Sequence, residues 1–392
     1  MTPRRTDVLV VGAGPAGATA AFQLSRLGIE TLVVDRAVFP RDKVCGESLS
    51  PGAISRLRSM EMWHPPEPTA GLAVSNPRGA NVTGMRVSSP NGAIFSGRYR
   101  LGPNRSGLAI RRLTLDAELL SAVRSRGVEA LEGIEVTGAE QALDGMARVR
   151  ARPLRSRSDI FIDARHVIVA DGRRSFLARN LGFLKRKRAG THRYAVRAHC
   201  ENVAGLSTFA EMHVGDRGYC GIAPLSSSAA NVCYVLFGDR LDITPETREA
   251  DFRRHLLRFP GAARLLETAA VTDQIRVVGP LRLESPRQTN GAFIACGDTT
   301  GFLDPFTGEG IAHAIASGYQ AAEAVFESLS GRPEAFRDYE LQVRRLRRIK
   351  GRAARLLYGL VSRPALANSA ASVLARAPRF ADALVRLFGD QV

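Results

Sequence analysis

"TDVLVVGAGPAGATAAFQLSRLGIETLVVD", Thr6 to Asp35, decides how this chain folds. Val8 to Val11 form an unbroken apolar run, the pattern of a strand buried on both faces. The run enters Gly12-Ala13-Gly14-Pro15-Ala16-Gly17, which has the spacing G-x-G-x-x-G. Pro15 suits the first turn of a helix. The following "AGATAAFQLSRLG" has helical spacing and stops at Gly28. "ETLVVD" is then a second strand ending on Asp35. Strand, glycine turn, helix and strand within about 30 residues make a parallel crossover unit. In that context each glycine has a task. Gly12 permits the tight turn, Gly14 lets the backbone approach a pyrophosphate, and Gly17 lets helix and strand close up. The helix N-terminus faces the phosphate charge. Asp35, 18 residues after Gly17, is placed to accept hydrogen bonds from a ribose. Arg36 follows it in the same binding set. Alone, this unit does not tell a nicotinamide dinucleotide from a flavin one.

The rest of the chain sets bounds. Its 392 residues suggest two domains or one elaborated domain. A net charge of +17 raises nucleic acid or an anionic membrane as partners. No Lys/Arg block with interleaved aromatics recurs, so a nucleic-acid partner is not expected, and Arg-rich coding accounts for much of the excess. Cys45, Cys200, Cys220, Cys233 and Cys296 are odd in number, widely spaced and without a CxxC pair. That argues against a disulfide framework and a zinc site, and no metal is expected. Neither a secretory signal nor an apolar run of about 20 residues is present, and a cytoplasmic protein is the expectation.

Two further buried-strand patterns end in polar turns. "VIVADGRRSFLAR" (Val167–Arg179) places Asp171-Gly172 after one, and "FIACGDTTGFLDPFTGEGI" (Phe293–Ile311) places Gly297-Asp298 after another. Asp298 is a short acceptor suited to a hydroxyl. Gly308 and Gly310 leave bare backbone N–H groups where a helix starts, a place of roughly half a positive charge. Between these segments lie strand-rich blocks that read as antiparallel, including "MRVSS", "AIFSGRYRL", "GYCGIAPL" and "NVCYVLF". The expected division is a discontinuous dinucleotide domain (1–75, 105–190, 275–330), a substrate domain inserted into it (76–104, 191–274), and a helical C-terminal region (331–392). The fold class is α/β: a Rossmann-like domain with an interleaved antiparallel-sheet domain and a helical tail.

Taken in order, the three turns resemble the fingerprints of the FAD-dependent hydroxylase and geranylgeranyl reductase superfamily. "FPRDKVCGESLSPGAI" (Phe39–Ile54) resembles the segment after the second strand in geranylgeranyl-reductase-like proteins and in flavin-dependent halogenases. "IRRLTLD" (Ile110–Asp116) resembles the family's Arg-x-x-Phe-Asp, with Leu115 in the aromatic's place. The resemblance covers about residues 5–330. It implies non-covalent FAD, with NAD(P)H as transient reductant. It assigns to FAD the first glycine turn, Asp35 and Arg36, Cys45-Gly46, Arg112, Asp171-Gly172, Gly297-Asp298, and Pro305, Gly308, Gly310 and Ile311. Asp298 would meet a ribityl hydroxyl and Arg112 the dinucleotide.

Three reactions share this scaffold: hydroxylation, double-bond reduction on a prenyl chain, and halogenation. Halogenases carry Trp-x-Trp-x-Ile-Pro, which a chain with one tryptophan, Trp63, lacks. Prenyl reductases carry Tyr-x-Trp-x-Phe-Pro. Here Tyr219 and Pro224 match, while Gly221 and Ala223 replace Trp and Phe. Each lost aromatic removes roughly 150–250 Å² of grip on a polyprenyl chain. Monooxygenation of a hydrophobic or aromatic small molecule is therefore favoured over lipid double-bond reduction, with a non-catalytic FAD-binding protein as the other class. Cys45, next to Lys43, is either a thiolate beside the flavin or a small buried hydrophobe. Glu47 either hydrogen-bonds substrate or flavin or anchors its loop. Cys45, Glu47 and Tyr219 are the catalytic candidates. His313 lies near the flavin edge but is more often structural at such a place; His192, His199 and His213 show no ligand spacing.

The tail is basic: from Ala335 to Val392 it has twelve Arg/Lys and four Asp/Glu, a net +8. Leu341, Leu346, Ile349, Leu356, Leu357 and Leu360 fall near a helical stripe, set among Arg344, Arg345, Arg347, Arg348, Lys350, Arg352 and Arg355. Pro364 interrupts, and a second helix with Val373, Leu374, Phe380, Leu384 and Leu387 is expected after it. Such helices lie on an anionic membrane surface or pack over the substrate cavity.

Overall fold

The computed structural model describes residues 3–66, 78–99, 106–156, 158–186, 192–238, 243–244, 246–302, 306 and 308–389. Pro305 of the cofactor set lies outside them. The first apolar run is strand Arg4–Val11, and it sits at the centre of a parallel sheet. Phe293–Ala295, Ile160–Val169, Arg4–Val11, Thr31–Asp35 and Glu129–Glu132 lie side by side in that order, all parallel. Val8 pairs with Thr31 on one side and His166 on the other. Its side chains alternate between two cores. Val8 and Val10 pack under helices, while Leu9 and Val11 pack against Val149, Ile162 and Phe183. Burial on both faces explains the missing polar alternation.

Helices Pro15–Arg26 and Gly310–Leu329 share the first face. They touch at backbone level: a Cβ on Gly318 would lie 2.2 Å from Ala16 O. On the other side, Ile134–Gln141 and Ala147–Pro153 extend the sheet by antiparallel pairing onto Ile160–Val169.

A second sheet runs in the order Ala270–Val271, Arg193–Glu201, Ala230–Phe237, Gly218–Pro224, Phe209–Gly215, Gly84–Ser88, Ile94–Arg98. It is antiparallel except where Gly84–Ser88 meets Phe209–Gly215 in parallel. The long chain between those two strands frees them from hairpin geometry. Arg276–Val278 also pairs with Arg193–Glu201, so the sheet continues beyond residue 274. One face, with Cys220, Ile222 and Tyr234, packs on helices Arg248–Leu256 and Pro260–Leu265. The other, with Ala195, Met212, Tyr219 and Val235, faces the first domain.

The tail forms three helices, Ala335–Val361, Pro364–Ala375 and Pro378–Gly389. The second helix expected after Pro364 is thus two, because Pro378 brings no N–H to continue the first. Tyr339 is buried and its hydroxyl donates to Ala295 O at 2.6 Å, tying the long helix to the first sheet. The last two helices cover the edge strand Ile94–Arg98. Phe95 packs on Ala371 and Ala381, and Arg98 N donates to Asp382 Oδ1 at 2.8 Å. Bare Gly97 admits the Ala381 backbone. Such a cover prevents edge-to-edge pairing. In the tail stripe, Leu341 and Leu346 are exposed, while the side chains of Ile349, Leu356, Leu357 and Leu360 lie outside the described ones. No helix among the described residues is long and apolar enough to cross a membrane.

Candidate flavin site

Because the central strands are parallel, their carboxyl ends share one edge, and the three polar turns meet there. Gly12 has φ 101°, a value that favours glycine, and a Cβ there would strike the Ala170 backbone at 2.7 Å. A Cβ on Gly17 would lie 1.7 Å from Gly12 O, so the helix starts this close only with glycine. Asp35 is committed to the turn itself: its oxygens accept from Ala13 N at 2.7 Å and Ala37 N at 2.8 Å. Each oxygen keeps a second lone pair for a ribose hydroxyl. Arg36 instead points to solvent beside Glu135, 3.6 Å away, and does not line the cleft.

A cavity of about 200 Å³ opens between this edge and the second sheet. Gly14, Pro15 and Ala16 form one end, with Gly172 and Arg112 beside them. Gly297, Asp298, Gly308, Gly310 and Ile311 form a second wall. Cys45, Gly46 and Glu47 run along a third, and Tyr219 closes the floor. Asp171, between the lining residues Ala170 and Gly172, does not itself line the cavity, and its enclosure pushes its carboxyl up to about 6. Residues singled out from the sequence thus stand on each of these walls, among others such as Val44, Met85, Ala210, Val235 and Phe302 that no motif marks.

The pyrophosphate end is cationic. Arg112 is buried, holds Asp116 through two bonds of 2.7 Å, and shares it with Arg41 at 2.9 Å. Lys43 joins them; its enclosure and then Arg112 push its pKa below the ordinary lysine value. Arg41 is an addition that the sequence pattern had not singled out.

Glu47 resolves in favour of the anchor. Its carboxylate is buried, accepting from Arg112 N at 2.9 Å and meeting His199 Nε2 at 2.7 Å. Cys45 is half-buried, and its carbonyl accepts from Asn231 Nδ2 at 3.0 Å. Tyr219 packs edge-on against Phe306 at 4.9 Å. Gly221 and Ala223 leave the floor low, and Met212 reaches into the gap, 3.6 Å from where a Gly221 Cβ would be. Cys233 lines the cavity, whereas Cys200 and Cys220 are buried core residues. His313 bonds Thr300 Oγ1 at 3.0 Å within the turn before its own helix. His199, unassigned by motif, proves to sit against the cavity wall; only the fold brings it to Glu47, 152 residues away.

Residues 5–347 match the family described as FAD binding domain. The chain belongs to that FAD-binding family. Menaquinone reductase of Mycobacterium tuberculosis is 30% identical over 335 residues, spanning 81% of this chain and 76% of the relative. A flavin-dependent halogenase of Armillaria mellea is 24% identical, over 84% and 69% of the two chains. In fold, the flavin-dependent brominase Bmp2 superposes with TM-score 0.80 at 19% identity, over 98% and 94% of the chains. A geranylgeranyl bacteriochlorophyll reductase-like protein of Thermoplasma acidophilum gives 0.70 at 23%, over 100% and 93%.

The FAD-binding family's cofactor fits the residues present. A side chain on Gly14 would fill the space in front of Arg41 Nη2, 3.4 Å away, and Arg112 Nη2, 4.0 Å away. That space, between two guanidinium groups and a helix N-terminus, suits a pyrophosphate. Among the described residues, nothing lies within 4 Å of where a Cβ on Gly308 or Gly310 would be, so the opposite end offers bare backbone to a ligand.

Proposed function

We propose that this protein is an FAD-dependent reductase of a carbon–carbon double bond in a prenyl-type lipid, with NAD(P)H as reductant. The observation that carries it is the continuation of the cavity. A second chamber of about 120 Å³ adjoins it, sharing Met85 and Phe306. Val87, Phe95, Val214, Leu374, Leu384 and Val385 make it almost wholly apolar. A chain-like substrate gains from apolar burial along such a length, about 0.8 kcal/mol per methylene. Its roof is the last two helices, which replace the grip lost at Gly221 and Ala223. The menaquinone reductase relative supports the same class.

FAD, when bound and reduced by NAD(P)H, would supply a hydride to one carbon of the double bond, with a proton adding at the other. The protein's part is to hold the FAD and exclude water. Arg41, Lys43 and Arg112 balance the pyrophosphate, and Asp298 takes a ribityl hydroxyl. Tyr219, Met212 and Phe306 shape the floor. Cys45 stands beside the reacting region.

Oxygenation is the second reading, carried by the small residues Gly221 and Ala223 where the prenyl reductases have aromatics. Turnover of a menaquinone with reduced cofactor, under air and under strict anaerobiosis, separates the two. Equal product without dioxygen is expected; product that requires dioxygen in proportion moves the enzyme to the monooxygenases. Flavin that NAD(P)H never reduces would make this a non-catalytic FAD-binding protein. The tail contributes a further part of the proposal: peripheral contact with an anionic membrane, from which such a lipid is drawn.

A further inference from the structure

His199 lies on the second sheet with its ring between two carboxylates. Nε2 is 2.7 Å from Glu47 Oε2, and Nδ1 is 2.6 Å from Asp273 Oδ2. A neutral imidazole has one N–H and donates to one carboxylate; only the imidazolium donates to both. The other charged groups are arranged around this bridge. Arg197 Nη1 is 2.7 Å from Asp273 Oδ2 and 2.9 Å from His199 Nδ1. Asp42 pairs with Arg197 and with Arg276. Cys233 stands opposite Arg197 on the neighbouring strand. Glu47 is buried, and a buried carboxylate needs a cation.

The partner of His199 is also an unusual residue. Glu47 has φ 56°, a left-handed value that surrounding bonds must hold in a side-chain-bearing residue. Its Oε1 accepts from Arg112 N at 2.9 Å and its carbonyl from Ile110 N at 2.9 Å. Together with Cys45 and Gly46 it forms a wall of the cofactor cleft.

We propose that the His199 imidazolium is a positioning residue for FAD binding: by bridging Glu47 and Asp273 it clamps the Cys45-Gly46-Glu47 turn against the cleft, and it releases the turn on losing its proton. The clamp spans both halves of the molecule, since His199 and Asp273 belong to the second sheet and its flank while Glu47 belongs to the first domain. Burial works against the charged ring, but the bonds to Asp273 and Glu47 outweigh it and raise its pKa above the ordinary histidine value. The clamp is closed below that raised value and opens as pH climbs through it. This holds whichever reaction the flavin serves.

The test is the FAD dissociation constant of the full chain, followed by flavin fluorescence from about pH 6, below the ordinary histidine value, upward through the whole alkaline range in which the chain stays folded. Wild-type affinity is expected to weaken by about tenfold across the titration, the effect of one charge-assisted bond. Asp273→Asn removes one of the two carboxylates that hold the proton, so its fall should come at lower pH. His199→Gln should bind weakly and show no such fall. His199→Gln combined with Glu47→Gln should be no weaker than His199→Gln, because the ring acts through Glu47. Circular dichroism melts confirm that each variant is folded; if His199→Gln is not, Asp273→Asn, at a partly exposed site, carries the test. A flat wild-type profile, an inflection that Asp273→Asn does not move, or additive losses in the double variant overturns the proposal.

Discussion

Asp35 and Asp298 show how far a residue's chemistry follows from its place in a motif. Both are short acids after a buried strand, and both were assigned to hydroxyls. Asp35 also stitches its own turn, with two backbone N–H bonds of 2.7 and 2.8 Å. Asp298 lines the cavity. Asp298→Ala should therefore weaken FAD binding by about 0.5–1.5 kcal/mol while leaving the apo fold intact. Fluorescence titration with FAD and an apo melting curve read the two effects separately. Asp35→Ala should lower apo stability as well. At His199 the consequence is one of pH. The native chain holds the His199 proton more tightly than the unfolded chain, whose histidines titrate near 6.5. Its contribution to stability is thus complete below about pH 6.5 and is lost as pH rises through the higher native value. Urea unfolding against pH should show that loss in the wild type and a flatter alkaline limb in His199→Gln. None of this was legible beforehand, because a lone histidine carries no spacing signal and its partners come from distant segments.

At the scale of elements, helix starts and strand ends were legible and contacts between elements were not. The helix after Gly310 was expected, but its approach to the helix Pro15–Arg26 depends on Gly318, which no motif marks. A Cβ at Gly318 meets Ala16 O at 2.2 Å and Ala16 C at 3.0 Å, both backbone atoms that cannot step aside. Gly318→Ala should cost about 1–3 kcal/mol in unfolding free energy. It should also loosen FAD, since Ala16 lies in the glycine turn. Gly310→Ala is the contrast: among the described residues nothing lies within 4 Å of its added carbon, and alanine favours a helix by up to about 1 kcal/mol. Its apo stability should hold or rise while FAD retention falls. Chemical denaturation and flavin release, measured on both variants, test this pair. The parallel junction between Gly84–Ser88 and Phe209–Gly215 had no local signal either, because pairing direction is set by partners 125 residues apart.

For the whole molecule, the question is what covers the last two helices. Their inward residues, among them Ala367, Ala371, Leu384 and Val385, roof the apolar chamber. Outward, Leu366, Val373, Phe380 and Leu387 recur every seven residues and are 42, 65, 74 and 50% exposed. Arg363, Arg376, Arg379 and Arg386 lie along the same helices, where Asp382 is the acid within residues 363–389. Apolar side chains set among cations suit an anionic bilayer, with each arginine contributing about 1 kcal/mol near its surface. The protein should pellet with anionic vesicles at low salt and be released at high salt. Replacing Val373 and Phe380 by Ser should reduce pelleting at either salt. Protein left wholly in the supernatant at low salt would remove the membrane from the account.

The sequence by itself determined the flavin half of this protein. A glycine turn, a strand-end acid and a helix start are local features, and local backbone constraints dictate both the residues and their spacing. It also determined that the tail is helical, since apolar periodicity is local too. What it left open was decided by tertiary structure. Glu47 was fixed as an anchor by Arg112 N, 65 residues away, and by His199 from the second sheet. Arg36, the first residue past the strand end, turned outward toward Glu135 although its neighbour Asp35 serves the turn. Gly221 and Ala223 read as a missing wall until Met212 and the terminal helices came to stand beside the gap. In each case the deciding contact joins segments far apart in the chain, and only packing of the two sheets and the tail places them together.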